Sequence, residues 1–259
     1  MTVLPIYYVN AFSSLPFSGN PAAVVLLEEW LPDNTLITLA SEINLPETAF
    51  LVGDHIRWFT PKIEVPLCGH ATLATAFVLK TIKQSPDDLF KFQSLSGELT
   101  VSCQSTLFTL NFPAIPATLN NGIKSAIEEK LALQIDEVWQ ARDRYVCFLS
   151  DPETVISYQP DFSQIAQLDL PGVIITAKGH SPFDFISRFF APVKGVNEDP
   201  VTGTSHCVLA PIWSNKLNKK QLKARQVSKR GGNIDCALKD NRVLLTGEAV
   251  LFLTGEITF

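Results

Sequence analysis

Pro66-Leu-Cys-Gly-His-Ala-Thr-Leu-Ala74 and Asp199-Pro-Val-Thr-Gly-Thr-Ser-His-Cys-Val-Leu-Ala210 are two versions of one pattern. In each, a glycine (Gly69, Gly203) heads a run of small and apolar residues of helical character. The two glycines lie about half the chain apart. A helix start presents free backbone N–H groups and the positive end of the helix dipole. Two such starts facing one another would line an anion-binding cleft, so a small-molecule carboxylate is the expected ligand.

Working outward, His70 to Thr81 is apolar nearly all round, and so is Thr204 to about Ser214. A helix of that kind is buried on every side. Most other periodic segments alternate as strands do. In the first half these are Thr2–Asn10, Ala22–Leu27, Thr48–Val52, Ile56–Phe59, Leu89–Gln93, Glu98–Cys103 and Leu107–Phe112. One further helix, opened by Pro32-Asp33, is expected to run to about Ile43. Pro113 to Gly122, with two prolines and Asn-Asn-Gly, is the best linker candidate. Beyond it, strands are expected at Val138–Ala141, Tyr145–Leu149, Gly172–Thr176, Phe183–Phe190 and, after the second helix, in four closing segments. A helix buried all round needs walls all round, which a curled sheet supplies. The expected fold is therefore α+β, with two similar β-barrel-like domains, each wrapped around a central helix and related by internal duplication. The expected boundaries are 1–113 and 114–259, with the final strand, about 250–259, open to packing on the first domain.

Bulk properties exclude several function classes. The chain has 259 residues, is 46% apolar and 18% charged, and so can bury a full core. Its net charge is −5 and its basic residues form only short pairs, so nucleic acid is not an expected partner. Five scattered cysteines without a Cys-x-x-Cys pair argue against a disulfide framework and a structural zinc site. No apolar run reaches transmembrane length, and no cationic, apolar leader opens the sequence. No membrane association and a cytoplasmic location are the expectations.

The residues able to do chemistry leave alternatives open. Glu47, in Asn44-Leu-Pro-Glu-Thr-Ala-Phe50, reads either as a general base and acid or as the far member of a capping box with Asn44. Cys68 and His70 flank Gly69 and read as a reactive thiolate with its histidine, or as a buried pair. The position matching Cys68 in the second motif is Thr202, so two opposed thiols are not available. Asp199 reads as a proton partner or a turn aspartate before proline, and Thr204 and Ser205 as ligand contacts or helix caps. Asn20 is a turn residue or a ligand contact, and Arg188 pairs with a substrate carboxylate or with an acid on the sheet. His55, His180 and His206 fall at no metal spacing with a carboxylate, so no metal is expected. No nucleotide-binding glycine motif is present, so no cofactor is expected.

Six segments in order resemble the PhzF-like phenazine-biosynthesis family, within the diaminopimelate-epimerase-like fold. They are Asn10–Val24, Leu45–Phe50, Ile56–Pro61, Leu67–Thr72, Ser187–Pro192 and Glu198–Gly203. The resemblance implies two barrel domains around central helices, a site in the cleft between them, and a cofactor-independent isomerase, often a homodimer. By position it implies Glu47 as acid/base, with His70, Asp199 and Thr204 lining the site, where other members often carry serine in place of Thr204. A non-catalytic binding protein on the same scaffold and a Cys68-dependent racemase or epimerase remain the competing readings.

Overall fold

The computed structural model describes all 259 residues, and they fall into two compact units. Unit one comprises Met1–Asn111 and Thr246–Phe259; unit two comprises Phe112–Leu245. The final strand thus belongs with the first unit.

In unit one the strands are β1 (Val3–Ala11), β2 (Asn20–Leu27), β3 (Glu47–Val52), β4 (His55–Phe59), β5 (Glu64–Val65), β6 (Leu89–Ser94), β7 (Gly97–Gln104) and β8 (Leu107–Pro113). The last strand of the chain, β18 (Ala249–Thr258), pairs antiparallel with β1 from Val3↔Thr258 to Ala11↔Ala249. From β18 the ladder runs antiparallel to β1, antiparallel to β2 and parallel to β3. It continues antiparallel to β4, which carries both the short antiparallel β5 and the parallel β6, and β7 follows antiparallel. The parallel step from β2 to β3 needs a crossover, and α1 (Asp33–Ile43) supplies it.

Helix α2 (Gly69–Phe77) lies inside this sheet, packed against β1, β2, β3, β7 and β18, and every one of its nine residues is buried. Its sequence explains how that is tolerated. Glycine and alanines let strands approach closely, and the Thr72 and Thr75 hydroxyls donate to the carbonyls of Cys68 (2.6 Å) and Ala71 (2.8 Å), so neither is left without a bond. One π-helical turn, Val78–Ile82, ends it. On the outer face, Leu36, Leu39 and Ala40 of α1 pack on Ala23, Val25 and Phe50. Strand β2 is consequently buried on both faces, which is why it reads as a continuous apolar run.

Unit two repeats the scheme with β9 (Thr118–Leu119), β10 (Glu137–Gln140), β11 (Arg144–Phe148), β12 (Gly172–Lys178), β13 (Phe185–Ala191), β14 (Val196–Asp199), β15 (Gln221–Gln226), β16 (Gly232–Lys239) and β17 (Arg242–Gly247). The order of senses from β9 to β16 is antiparallel, antiparallel, parallel, antiparallel, antiparallel to the short β14, parallel to β15, antiparallel. That is the order found from β18 to β7. The central helix here is α6 (Gly203–Leu217), with Phe148, Phe185 and Thr176 of three strands gathered on Trp213.

The outer layer differs. Where unit one has one helix, unit two has three short ones: α3 (Lys124–Leu131), α4 (Pro152–Ser157) and α5 (Phe162–Ile165). These three helices depart from the expected pattern of strands around one apolar helix in the second half. Each is too short to show periodicity, though α4 and α5 carry sound start signals: Asp151 and Asp161 accept from the backbone N–H groups of the first turn. The Pro113–Gly122 stretch is not a loose spacer either, since Thr118 and Leu119 within it pair with β10.

Candidate active site

Register locates the counterparts of the two units. Phe59 pairs with Glu64 and Phe190 with Glu198, so these positions correspond. The glycines Gly69 and Gly203 each follow five positions later. By the same ladders Thr48 matches Val173, so Glu47 matches Gly172; Cys68 matches Thr202 and His70 matches Thr204.

In unit one, Asn44 caps the C-terminus of α1 in a left-handed conformation, and Glu47 opens β3. The capping-box alternative is therefore removed: there is no helix start for Glu47 to cap. Its carboxylate Oε2 lies 3.4 Å from Nε2 of His70, the second residue of α2, and its side chain keeps 20% exposure against 6% for the histidine. Nδ1 of His70 is 3.2 Å from the Asn20 amide nitrogen and 3.5 Å from Sγ of Cys68, the N-cap residue of α2. Burial drives His70 down to about 4 against an opposing hydrogen bond from its ring to the Pro21 carbonyl, so the ring is neutral at physiological pH. A neutral imidazole suits a carboxyl group that changes state: it donates to the carboxylate in one tautomer and accepts from the acid in the other. Glu47, His70, Asn20 and Gly69 are thus brought together in unit one.

The second glycine-led start gathers two clusters in unit two. Asp199 ends β14 and accepts the Thr202 hydroxyl at 2.5 Å, while Gln226 clamps the turn, donating to the Asp199 carbonyl (2.6 Å) and accepting from the Thr202 N–H (2.8 Å). Beside it, Thr204 and Ser205 accept from Nη1 of Arg144 at 3.2 and 3.0 Å. Arg144 is buried, stacks over Phe189 and makes a two-bonded pair with Asp143. Burial works to raise Asp143, but the bonds from Arg144 and Lys194 prevail and hold it well below the usual carboxylate range. Because Arg144 can only donate, the Thr204 and Ser205 hydroxyls are left with their own protons to give. Nothing in the sequence singled out Arg144, which sits sixty positions before Thr204 and meets it only through the β11 register.

Gly203 does not owe its identity to crowding inside unit two, where a methyl group would find Leu245 Cδ1 at an ordinary 3.5 Å. Arg188 takes the bland alternative: it forms a two-bonded pair with Glu198 at 2.7 and 3.0 Å. Cys207 lies in the core, its thiol pushed up to about 12 by burial.

Three of these side chains, Glu47, Cys68 and His70, each place one metal-ligating atom within 4.8 Å of the others. Spacing along the chain does not reveal this group, because Glu47 arrives from β3 and the other two from the start of α2.

Residues 9–255 match the family described as phenazine biosynthesis-like protein. The chain belongs to the PhzF-like phenazine-biosynthesis family. Among its relatives, a Pseudomonas aeruginosa protein named an uncharacterized isomerase is 46% identical, with 98% of each chain covered. The crystal structure of a PhzF-family protein from Enterococcus faecalis superposes with a TM-score of 0.95 at 45% identity, covering both chains fully. A probable proline racemase from Agrobacterium radiobacter shares the fold alone, at TM-score 0.64 and 9% identity over 98% of this chain and 93% of its own. The duplicated α+β fold is thus that of the PhzF-like and racemase/epimerase group, and the chain is an isomerase of the PhzF-like family. No helix is long and apolar enough to cross a membrane.

Proposed function

We propose that this PhzF-like isomerase moves a proton between carbons of a small carboxylate without a cofactor, with Glu47 as the single acid/base. The Glu47–His70 pairing, 3.4 Å apart at the start of a fully buried helix, is the observation that carries this reading. The glutamate takes a proton from a carbon next to a conjugated carbonyl or carboxylate. The electron pair of that C–H bond moves into the conjugated system, and the charge that develops on oxygen is met by preorganised backbone N–H groups. The resulting Glu47 carboxylic acid then returns the proton to a second carbon, which leaves the substrate isomerised and the glutamate ionised. His70 follows the carboxyl group through both states, and Asn20 fixes its ring.

In this proposal the glycine-led starts at Gly69 and Gly203 are the candidate receivers of a carboxylate, and beside the second stand the Thr204 and Ser205 hydroxyls, which Arg144 orients. Asp199, bonded to Thr202, serves as the polar partner on the second side. A homodimer comes with the same resemblance, and light scattering on the purified protein tests it; a cytoplasmic setting and a biosynthetic role are the accompanying expectations.

Solvent-deuterium incorporation across a panel of cyclic and amino-acid carboxylates, read by mass spectrometry, tests the chemistry. Wild type should add one mass unit to one compound, and Glu47→Gln should bind that compound without exchanging it. Normal exchange by Glu47→Gln would sink the proposal. The 3.5 Å contact between Cys68 and His70 favours a second reading, catalysis by sulfur. Cys68→Ala separates the two: a loss of turnover below tenfold keeps the chemistry on Glu47, and abolition moves it to the thiol.

A further inference from the structure

The Glu47–Cys68–His70 group has the composition of a soft-metal site, and the proton-transfer reading uses only part of it. A carboxylate, a thiol and an imidazole offer one oxygen, one sulfur and one nitrogen within 4.8 Å of one another. Around a tetrahedral zinc ion, ligand atoms stand roughly 3.5 Å apart, given bonds of about 2.0–2.3 Å. The Glu47 Oε2–His70 Nε2 separation is 3.4 Å, while Cys68 Sγ stands 3.5 Å from the other ring nitrogen, Nδ1, so an ion held by Nε2 has its oxygen ligand at tetrahedral spacing and must draw the sulfur towards it. Nε2 of His70 is buried, and its one polar approach, from Glu47 Oε2 at 3.4 Å, is too poorly aligned to be a hydrogen bond. An aromatic nitrogen in that condition is costly unless something coordinates it.

We propose that this group is a binding site for a thiophilic divalent cation of the Zn2+ or Cd2+ class. Binding displaces one proton from the Cys68 thiol to solvent. The ion then meets a thiolate, a carboxylate and a neutral imidazole, so two positive and two negative charges cancel inside a largely buried pocket. Sulfur and imidazole ligands select zinc and cadmium over magnesium and calcium, which prefer all-oxygen sites. Three protein ligands leave a fourth position for water or a substrate carboxylate. Closing on the ion asks for a shift of about an ångström, within reach of a rotamer change at Cys68. With its carboxylate bound to metal, Glu47 no longer accepts a proton. The matching positions of unit two are Gly172, Thr202 and Thr204, so the site has no twin.

The test uses the chelator-treated whole protein with ZnCl2, CdCl2 or MgCl2 alone. Calorimetry should give one Zn2+ per chain, and Cd2+ should produce a thiolate-to-metal absorption band, with no response to Mg2+. Cys68→Ser should remove the band, and His70→Asn should weaken Zn2+ binding at least tenfold, with circular dichroism checking the fold of both. X-ray absorption on zinc-loaded wild type requires no variant and should show one sulfur and at least one imidazole. No binding at micromolar Zn2+, a cadmium band that survives Cys68→Ser, or a zinc shell without sulfur would each overturn the proposal. None of these readouts involves turnover, so the metal site and the acid/base role of Glu47 stand or fall separately.

Discussion

The two units were built to one plan and then diverged at three corresponding positions. Each carries an arginine–glutamate pair on matching strands: Arg57 with Glu64 at 2.7 and 2.7 Å, and Arg188 with Glu198 at 2.7 and 3.0 Å. In each the guanidinium lies over the matching phenylalanine, Phe59 at 5.0 Å and Phe190 at 5.1 Å. The frame was kept. At the helix start, unit one presents Glu47, Cys68 and His70, whereas unit two presents Gly172, Thr202 and Thr204. Unit two cannot regain an acid by simple substitution, because a Cβ on Gly172 would sit 2.7 Å from the Phe189 ring. Duplication supplied two glycine-led helix starts. Divergence left one of them beside a carboxylate, a thiol and an imidazole, and the other with hydroxyls bonded to Arg144.

The largest test of that asymmetry is Glu47→Gln. An amide of the same shape should lower turnover by at least roughly a thousandfold in steady-state assays while the protein stays folded, in keeping with the loss of a general base. Next, the retained frame should not weigh equally in the two units. Arg188 is buried and also donates to the carbonyls of Val155 and Tyr158, so Arg188→Met, which leaves Glu198 uncompensated, should cost about 3–5 kcal/mol in urea denaturation. Arg57 keeps 23% side-chain exposure, and Arg57→Met should cost only about 1 kcal/mol. Equal losses would mean that burial does not decide the difference.

Each unit also buries a histidine, His70 and His206, both driven down to about 4 by burial against an opposing backbone bond. Unfolded histidine titrates near 6.5, so between pH 6.5 and 4 the unfolded chain binds more protons. Stability is therefore full above pH 6.5 and falls as pH drops, by about 2–3 kcal/mol per histidine at pH 4. His206→Asn and His70→Asn should each flatten the loss measured by denaturation between pH 7 and pH 4.5. Only His70→Asn should also slow turnover, because His206 bonds back to the Thr202 carbonyl of its own unit. A comparable modest effect is expected of Gly172→Ala, which should cost about 1–3 kcal/mol through overpacking against Phe189. A neutral result would show that the glycine is not what excludes a second acid.

Much of the frame was legible in the chain because its signals are local. Continuous apolarity in His70–Thr81 and Thr204–Ser214 marks buried helices, and Pro32-Asp33 marks the start of α1. The helices of six and four residues were lost because a hydrophobic period needs more turns than they have. The site divides in the same way. Gly69, His70, Gly203, Thr204 and Ser205 lie within the quoted motifs, whereas Arg144 and the link from Glu47 to His70 depend on strand register. The paired arginines were both within segments quoted for the resemblance, but only the register Phe59↔Glu64 and Phe190↔Glu198 shows them to be copies.

The sequence alone determined that two glycine-led helices are buried within curled sheets, because a helix with no polar face has no other place to go. It also determined the family, through six motifs in order. Only the tertiary structure decided what each helix start is for. Which carboxylate meets which histidine, and whether an arginine pairs with an acid on its own sheet or bonds two hydroxyls, is set by contacts between strands far apart in the chain. Pairing register fixes those contacts, and a local pattern does not encode it.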